Sequence, residues 1–184
     1  MKKAIRIALL FLLVSHMSLA QTIPPAPDNM AVVYFARTST LGFAINFTYF
    51  DSTALIAKCK GANFFRYECE PGKHIFWGRS ENRDYIEAEL EPGKIYFIEV
   101  EPRMGAMKAS IELKPVDPST DGKAMSRIMK LMGKKTPEVF HPLELENETK
   151  RLGDAMQKGM EKYHEEKAKG KNIGRLEKYM FYKE

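Results

Sequence analysis

The stretch that decides the fold is YIEAELEPGKIYFIEV, residues 85–100. In its first half, Ile86, Ala88 and Leu90 alternate with Glu87 and Glu89. An apolar residue at every second position predicts a β-strand that lays one face on a core and turns the other face to water. The β-branched and aromatic residues of the second half predict another strand.

The centre of this stretch, Glu91-Pro92-Gly93-Lys94, predicts a type II turn. Pro pre-sets φ at the second turn position, and Gly accepts the positive φ that the third position requires. The same four residue types recur at 70–73, again before an aromatic segment. We interpret both as tight turns that lead into core strands, and an exposed loop that binds a partner is the alternative.

Similar short segments extend outward from this stretch, from residue 31 to residue 116, and Gly, Pro, Asn and Asp separate them. The predicted strands are 31–37, 43–50, 54–60, 64–69, 74–79, 85–90, 95–101 and 107–114. In the last of them, Ile111 and Leu113 alternate with Glu112 and Lys114. We therefore predict a mainly β fold, an antiparallel β-sandwich of about seven to eight strands at 31–116.

The pattern becomes helical after this domain, and residues 117–184 are predicted to form a C-terminal α-helical extension. Met125, Ile128, Met129 and Met132 recur on one face of a helix that Gly133 ends. A second, longer helix is predicted from a narrow apolar stripe, Leu145, Leu152, Met156, Met160 and Tyr163. We interpret the methionine stripe as covering a core, with an adaptable binding surface as the alternative.

The N-terminus predicts export. A basic start (Lys2, Lys3 and Arg6) precedes an apolar run at 7–14 and small residues before Gln21, which are the three parts of a cleavable secretory signal. We predict a signal peptide at 1–20, an extended Pro-rich leader at 21–30, and a periplasmic or secreted mature chain. A retained N-terminal anchor is the alternative. No later run approaches the roughly 20 apolar residues of a spanning helix, so no transmembrane helix is predicted in the mature chain.

The charge pattern predicts no nucleic-acid partner. The chain has 29 Lys and Arg against 24 Asp and Glu, a net charge of +5, and loss of the three basic residues of the signal reduces this to +2. A nucleic-acid footprint needs clustered basic residues, whereas both signs are mixed along this sequence.

Two cysteines, Cys59 and Cys69, are the only ones in the chain. If the strands on either side of Gly61 form a hairpin, Cys59 lies near Phe64 and roughly 16 Å from Cys69, at about 3.3 Å per residue. A disulfide requires Cα atoms within about 7 Å of each other. We therefore predict two unpaired, mostly buried thiols.

No catalytic residue, cofactor, cofactor-binding residue or metal ligand is predicted. The sequence has no nucleophile elbow, phosphate loop or dinucleotide fingerprint, and His74, His141 and His164 lack metal-ligand spacing. His74, which follows a turn, is the best single polar candidate for acid–base chemistry; a locally hydrogen-bonded histidine at a strand edge is the plainer interpretation. Asn46 and Asn147 begin Asn-x-Thr glycosylation sequons, and their use depends on the source organism.

Several of these motifs occur together and in order. They are Val33-Tyr34-Phe35-Ala36-Arg37, Asp51 with Ala54-Leu55-Ile56-Ala57, Phe64-Phe65, Pro71-Gly72-Lys73-His74 and Leu90-Glu91-Pro92-Gly93-Lys94-Ile95-Tyr96. In this order, residues 31–116 resemble a bacterial exported domain, the domain of unknown function 2846. The resemblance implies an envelope-located β-sandwich and no known activity. The chain departs from the family at Ser52, where Gly is usual, and it lacks the lipoprotein cysteine frequent in such proteins.

Three functional hypotheses follow. The first is a non-enzymatic binding module that recognises a protein or other envelope partner, because nothing in the sequence is a catalytic signature. The second is a hydrolase of envelope material that uses carboxylates or His74 as acid or base. The third is a structural spacer that self-associates through its C-terminal helices. A deep polar pocket would favour the enzyme, and an exposed apolar patch would favour the binding module.

Overall fold

The computed structural model describes residues 23–104 and 109–183, so the predicted signal peptide at 1–20 lies outside the described residues. Within these ranges nine strands form two sheets, and three helices follow the eighth strand. In chain order the elements are β1 (Ala31–Arg37), β2 (Asn46–Asp51), β3 (Ala54–Lys60), β4 (Asn63–Cys69), β5 (Gly72–Arg79), β6 (Arg83–Leu90), β7 (Ile95–Met104), β8 (Ala109–Val116), α1 (Gly122–Met132), α2 (Pro142–Leu152), α3 (Ala155–Ala168) and β9 (Gly174–Leu176).

The two sheets pack face to face as a β-sandwich, which confirms the predicted fold class. One sheet has the strand order β4-β1-β7-β8, and the other has the order β3-β2-β5-β6-β9. Neighbouring strands are antiparallel except for β1 with β7 and β6 with β9, which are parallel.

The hairpin predicted around Gly61 is wrong. β3 pairs with β2, whereas β4 pairs with β1 in the other sheet, so the chain at Gly61 crosses from one sheet to the other. Cys59 and Cys69 are nevertheless unpaired and buried, as predicted. The prediction of unpaired thiols was right, but the hairpin on which it rested does not exist. Alternation along a strand shows which face is apolar and not which strand is its neighbour.

Helix α1 covers the outer face of the first sheet, which explains why every residue of the central strand β1 is buried. Val33 and Phe35 point into the core between the sheets, while Val32 and Tyr34 point outward to α1. Ile128 at the centre of the methionine stripe is fully buried against this face. The interpretation of that stripe as the cover of a core is confirmed.

The second predicted helix is two helices. α2 ends at Leu152, Gly153 has a positive φ of 53°, and α3 begins at Ala155. Glycine adopts this backbone conformation without the Cβ clash that other residues suffer, so the helix breaks here. The predicted stripe itself is confirmed, since all its members pack on the outer face of the second sheet around Trp77: Leu145, Leu152, Met156, Met160 and Tyr163.

Two smaller features also differ from the prediction. Only the turn at Gly93, with φ of 68°, has the expected type II value; Gly72 has φ of 126° and already pairs with Leu90 as part of β5. The three-residue strand β9 was missed, because a strand this short has no period to detect. Among the described residues, no helix has the length and apolar character needed to cross a membrane.

Candidate functional site

His74 lies at one end of the space between the sheets, where its ring stacks on Phe76. Its Nδ1 is 2.7 Å from Oδ2 of Asp51, and its Nε2 is 2.8 Å from the carbonyl oxygen of Glu70. From the opposite sheet, the Tyr67 hydroxyl donates to the same Asp51 oxygen at 3.2 Å. The side chains of His74 and Asp51 are only 13% and 12% exposed. The structure thus brings the sequence candidate beside a carboxylate, as the hydrolase hypothesis requires.

The bonds of His74 nevertheless argue against acid–base catalysis. Its two partners, a carboxylate and a carbonyl oxygen, are both acceptors, so each ring nitrogen must carry a proton to bond both of them. The hydrogen bond with Asp51 raises the pKa of His74, and this outweighs burial, which lowers the pKa. A ring whose two N–H groups are both engaged has no nitrogen left to accept a proton from a substrate. The ion pair ties strand β5 to the end of β2.

The two thiols are also unsuited to nucleophilic chemistry. Burial raises the pKa of Cys59 to about 11 and that of Cys69 to about 12. Because the thiolate is the reactive form of cysteine, both residues are inert protonated thiols at neutral pH.

A polar cleft of about 310 Å³ lies between strand β6 and helix α3. Glu87 and His74 both line it. The Glu87 carboxylate accepts hydrogen bonds from the Tyr163 hydroxyl, at 2.6 Å, and from Lys167, and Arg175 lies 3.6 Å away. These contacts, the Lys167 bond first, lower the pKa of Glu87. A carboxylate held in its ionised form is a poor general acid. The groups that converge here serve to bond α3 to the sheet.

A groove of about 590 Å³ with a mixed polar and apolar lining lies between α1 and the C-terminal tail. Met125, Met129, Phe181 and Tyr182 contribute most of its large side chains, and of the described residues that line it only Lys183 is charged. The groove offers space for an apolar group but no acid–base pair.

The loop at 38–45, between β1 and β2, is held by a buried cation. Arg37, 1% exposed, donates to three carbonyl oxygens of the loop, those of Leu41 at 2.7 Å, Gly42 at 2.8 Å and Ile45 at 3.0 Å. Its guanidinium also lies 4.3 Å over the centre of the Phe47 ring. A planar group with several fixed donors can bond these carbonyls together, and so it holds the loop in one conformation.

This loop presents two large apolar side chains to solvent. Leu41 is 49% exposed and Phe43 is 73% exposed, on either side of Gly42, whose φ is 63°. We call residues 41–43 the loop tip. These two neighbouring side chains form a small exposed apolar surface on an ordered loop, and this surface is the candidate contact site.

Sequence reasoning missed the loop tip because it placed Phe43 in a strand at 43–50. β2 begins only at Asn46. The turn-forming residues Thr38-Ser39-Thr40 and Gly42 are the sequence signal that a loop occupies this stretch. A single apolar residue beyond a loop cannot be told from the start of a strand by its type alone.

Comparison of the chain with protein-family models, with curated proteins and with solved structures found no significant match. The resemblance of residues 31–116 to the domain of unknown function 2846 therefore stays a prediction. Across 23–104 and 109–183, no group of three His, Cys, Asp or Glu side chains is placed to hold a metal ion.

Proposed function

We propose that this protein is an exported, non-enzymatic binding module that docks on a partner in the cell envelope through its loop tip. The observation that carries the proposal is the clamp made by Arg37, which keeps Leu41 and Phe43 in solvent rather than folded back on the sandwich. A loop ordered before binding loses little conformational entropy when it docks. The predicted signal peptide at 1–20 supports the proposed location.

The hydrolase remains the second candidate because His74 lies beside Asp51. We favour the binding module since both nitrogens of that ring are already bonded and Glu87 is held as a carboxylate. The spacer hypothesis receives less support, because the apolar stripes of α1 and α3 pack on the two faces of the sandwich. These stripes are therefore not exposed for self-association.

Co-sedimentation with envelope material isolated from the source organism tests this proposal. We expect the chain from Gln21 to Glu184 to sediment with the envelope, and the variant Leu41→Ser/Phe43→Ser to stay in the supernatant. Tyr179→Ser is the matched control, because Tyr179 is a 63% exposed aromatic residue outside the loop tip and its variant should sediment normally. Equal sedimentation of all three chains, or of none, would overturn the proposal.

A further inference from the structure

Four lysines lie on elements next to the loop that carries the loop tip. Lys60 ends β3, Lys130 lies in the last turns of α1, and Lys134 and Lys135 follow that helix. The last three line a depression of about 410 Å³ together with Thr40 of the loop. We call these four lysines the lysine rim.

The connection between β3 and β4 joins the rim to the loop tip. The backbone at Gly61 lies so close to Phe43 that a Cβ there would be 3.5 Å from the Phe43 carbonyl oxygen. Lys135 donates from its Nζ to the carbonyl oxygen of the next residue, Ala62. Lys60, just before, pairs in register with the first residue of β2, where the loop ends. The rim and the tip therefore belong to one surface.

This surface is positively charged. In the part of the chain that the structure describes, no lysine of the rim forms an ion pair, and neither does Arg37 beneath the loop. Of two neighbouring acids, only Glu99 is paired with a cation among the described residues, so the surface carries the four lysines against the single uncompensated carboxylate of Glu138. Glu99 bonds Arg127 at 2.6 Å, and Glu138 accepts a hydrogen bond from Asn63 at 2.9 Å.

We propose that the partner of the loop tip is the surface of a lipid membrane that carries anionic headgroups. Leu41 and Phe43 enter the boundary between headgroups and acyl chains, while the lysine rim contacts the headgroups. This inference rests on the proposed function and names its partner.

The small size of the apolar patch favours a membrane over a protein as the partner. A specific protein interface buries about 800 Å² on each side, far more than two side chains supply. Binding to a bilayer requires no complementary shape. Each apolar side chain that inserts and each basic residue that approaches the anionic surface makes the free energy of binding more favourable.

Vesicle co-sedimentation tests the inference. The chain from Gln21 to Glu184, which includes every described residue, is mixed with vesicles of phosphatidylcholine and phosphatidylglycerol, or of phosphatidylcholine alone. We expect binding to the mixed vesicles only, and weaker binding as salt is added, because salt screens exposed charges. Equal binding to both vesicle types would overturn the role of the lysine rim.

Two pairs of variants separate the contribution of the loop tip to vesicle binding from that of the lysine rim. We expect Leu41→Ser/Phe43→Ser to lower the partition coefficient roughly tenfold or more, with Tyr179→Ser unchanged. Lys130→Glu/Lys134→Glu should lower it by a similar factor. The control Lys123→Glu/Lys178→Glu makes the same change in net charge at exposed sites outside the rim and should bind far better. Equal losses in both charge variants would show that net charge alone acts, and would contradict a localised rim.

The vesicle result also separates this inference from the proposed function. If mixed vesicles fail to bind the chain while envelope material binds it through the loop tip, the binding module stands and its partner is a protein or a polymer of the envelope. If envelope material also fails to bind, both proposals fall.

Discussion

Arg37, His74 and Glu99 are charged or chargeable side chains that are largely buried, and each bonds groups that fix a neighbouring element. Glu99 is an example from strand β7. Burial would raise its pKa, but hydrogen bonds from Arg127 of α1 and from Thr38 outweigh this effect and lower the pKa. A buried charge is tolerated only when such partners replace water. These side chains therefore hold neighbouring elements together through hydrogen bonds and ion pairs.

The His74–Asp51 pair makes the stability of the protein depend on pH. The folded chain raises the pKa of His74 above its ordinary value of 6.5, so folding favours the protonated ring. The resulting stabilisation is complete below the unfolded-state pKa and is lost as the pH rises through the folded-state pKa. We therefore expect this contribution to the free energy of unfolding to decline as the pH is raised above about 6.5, measured by urea titration.

Variants of two histidines check the assignment. In His74→Gln this decline should disappear, whereas His164→Gln, which changes an exposed histidine on α3, should retain it. A decline that survives in His74→Gln would contradict the pairing of His74 with Asp51.

At the scale of elements, helix α3 meets strand β5 at Gly159. A Cβ at Gly159 would lie 2.5 Å from Cζ2 of Trp77, closer than real Cβ contacts. The indole has no room to withdraw, because it stacks on Phe50 at 3.8 Å and donates to the Ser52 carbonyl oxygen at 2.8 Å. The Tyr85 hydroxyl fixes the helix from the same side, with a 2.8 Å hydrogen bond to the Gly159 carbonyl oxygen.

We expect Gly159→Ala to lower the free energy of unfolding by about 1–3 kcal/mol through overpacking, even though alanine is the better helix former. Gly122→Ala is the matched control, because nothing lies within 4 Å of its Cβ position, and it should leave stability equal or slightly higher. Trp77 is the only tryptophan, so its fluorescence during urea unfolding measures both variants. A Gly159→Ala variant as stable as the parent chain would show that α3 is free to shift outward.

At the scale of the whole molecule, the helices are part of the fold and not an appendage that stands apart. α1 lies on one outer face of the sandwich, and α2 and α3 lie on the other. β9 then adds a strand beside β6, and the backbone N–H of Tyr182 in the tail donates to the Ile95 carbonyl oxygen at 2.8 Å. The helices thus cover a large part of the outer face of each sheet.

A chain that ends at Val116 should therefore fail to fold as a stable monomer. It would expose Val32, Tyr34 and Phe97 on one face and Trp77 and Tyr85 on the other, all buried in the full chain. Apolar surface of this extent drives aggregation. Gel filtration and binding of a hydrophobic dye check this, with the chain from Gln21 to Glu184 as control. A truncated chain that stays monomeric and unfolds cooperatively would contradict it.

The sequence by itself determined the features that depend on neighbours along the chain. Alternation at Ile86, Ala88 and Leu90 indicated a strand with one buried face, and all three are buried. Residues three and four apart on a helix share a face, so the stripe through Ile128 and the ion pair between Glu146 and Lys150 were also predictable. These patterns follow from the period of the backbone, which is a local property.

Only the tertiary structure decided which segments meet. Alternation shows that one face of a strand is buried, but it does not show which strand lies beside it. The crossing at Gly61 and the pairing of β1 with β7 could therefore not be predicted from the sequence. The contact of His74 with Asp51 joins two residues that are 23 positions apart in the sequence. The positive surface at the loop tip has the same origin: charges that are mixed along the chain become a lysine rim only when β3 and the end of α1 are packed beside residues 41–43. Such long-range contacts depend on the packing of the whole chain, so they cannot be predicted from any short stretch of sequence.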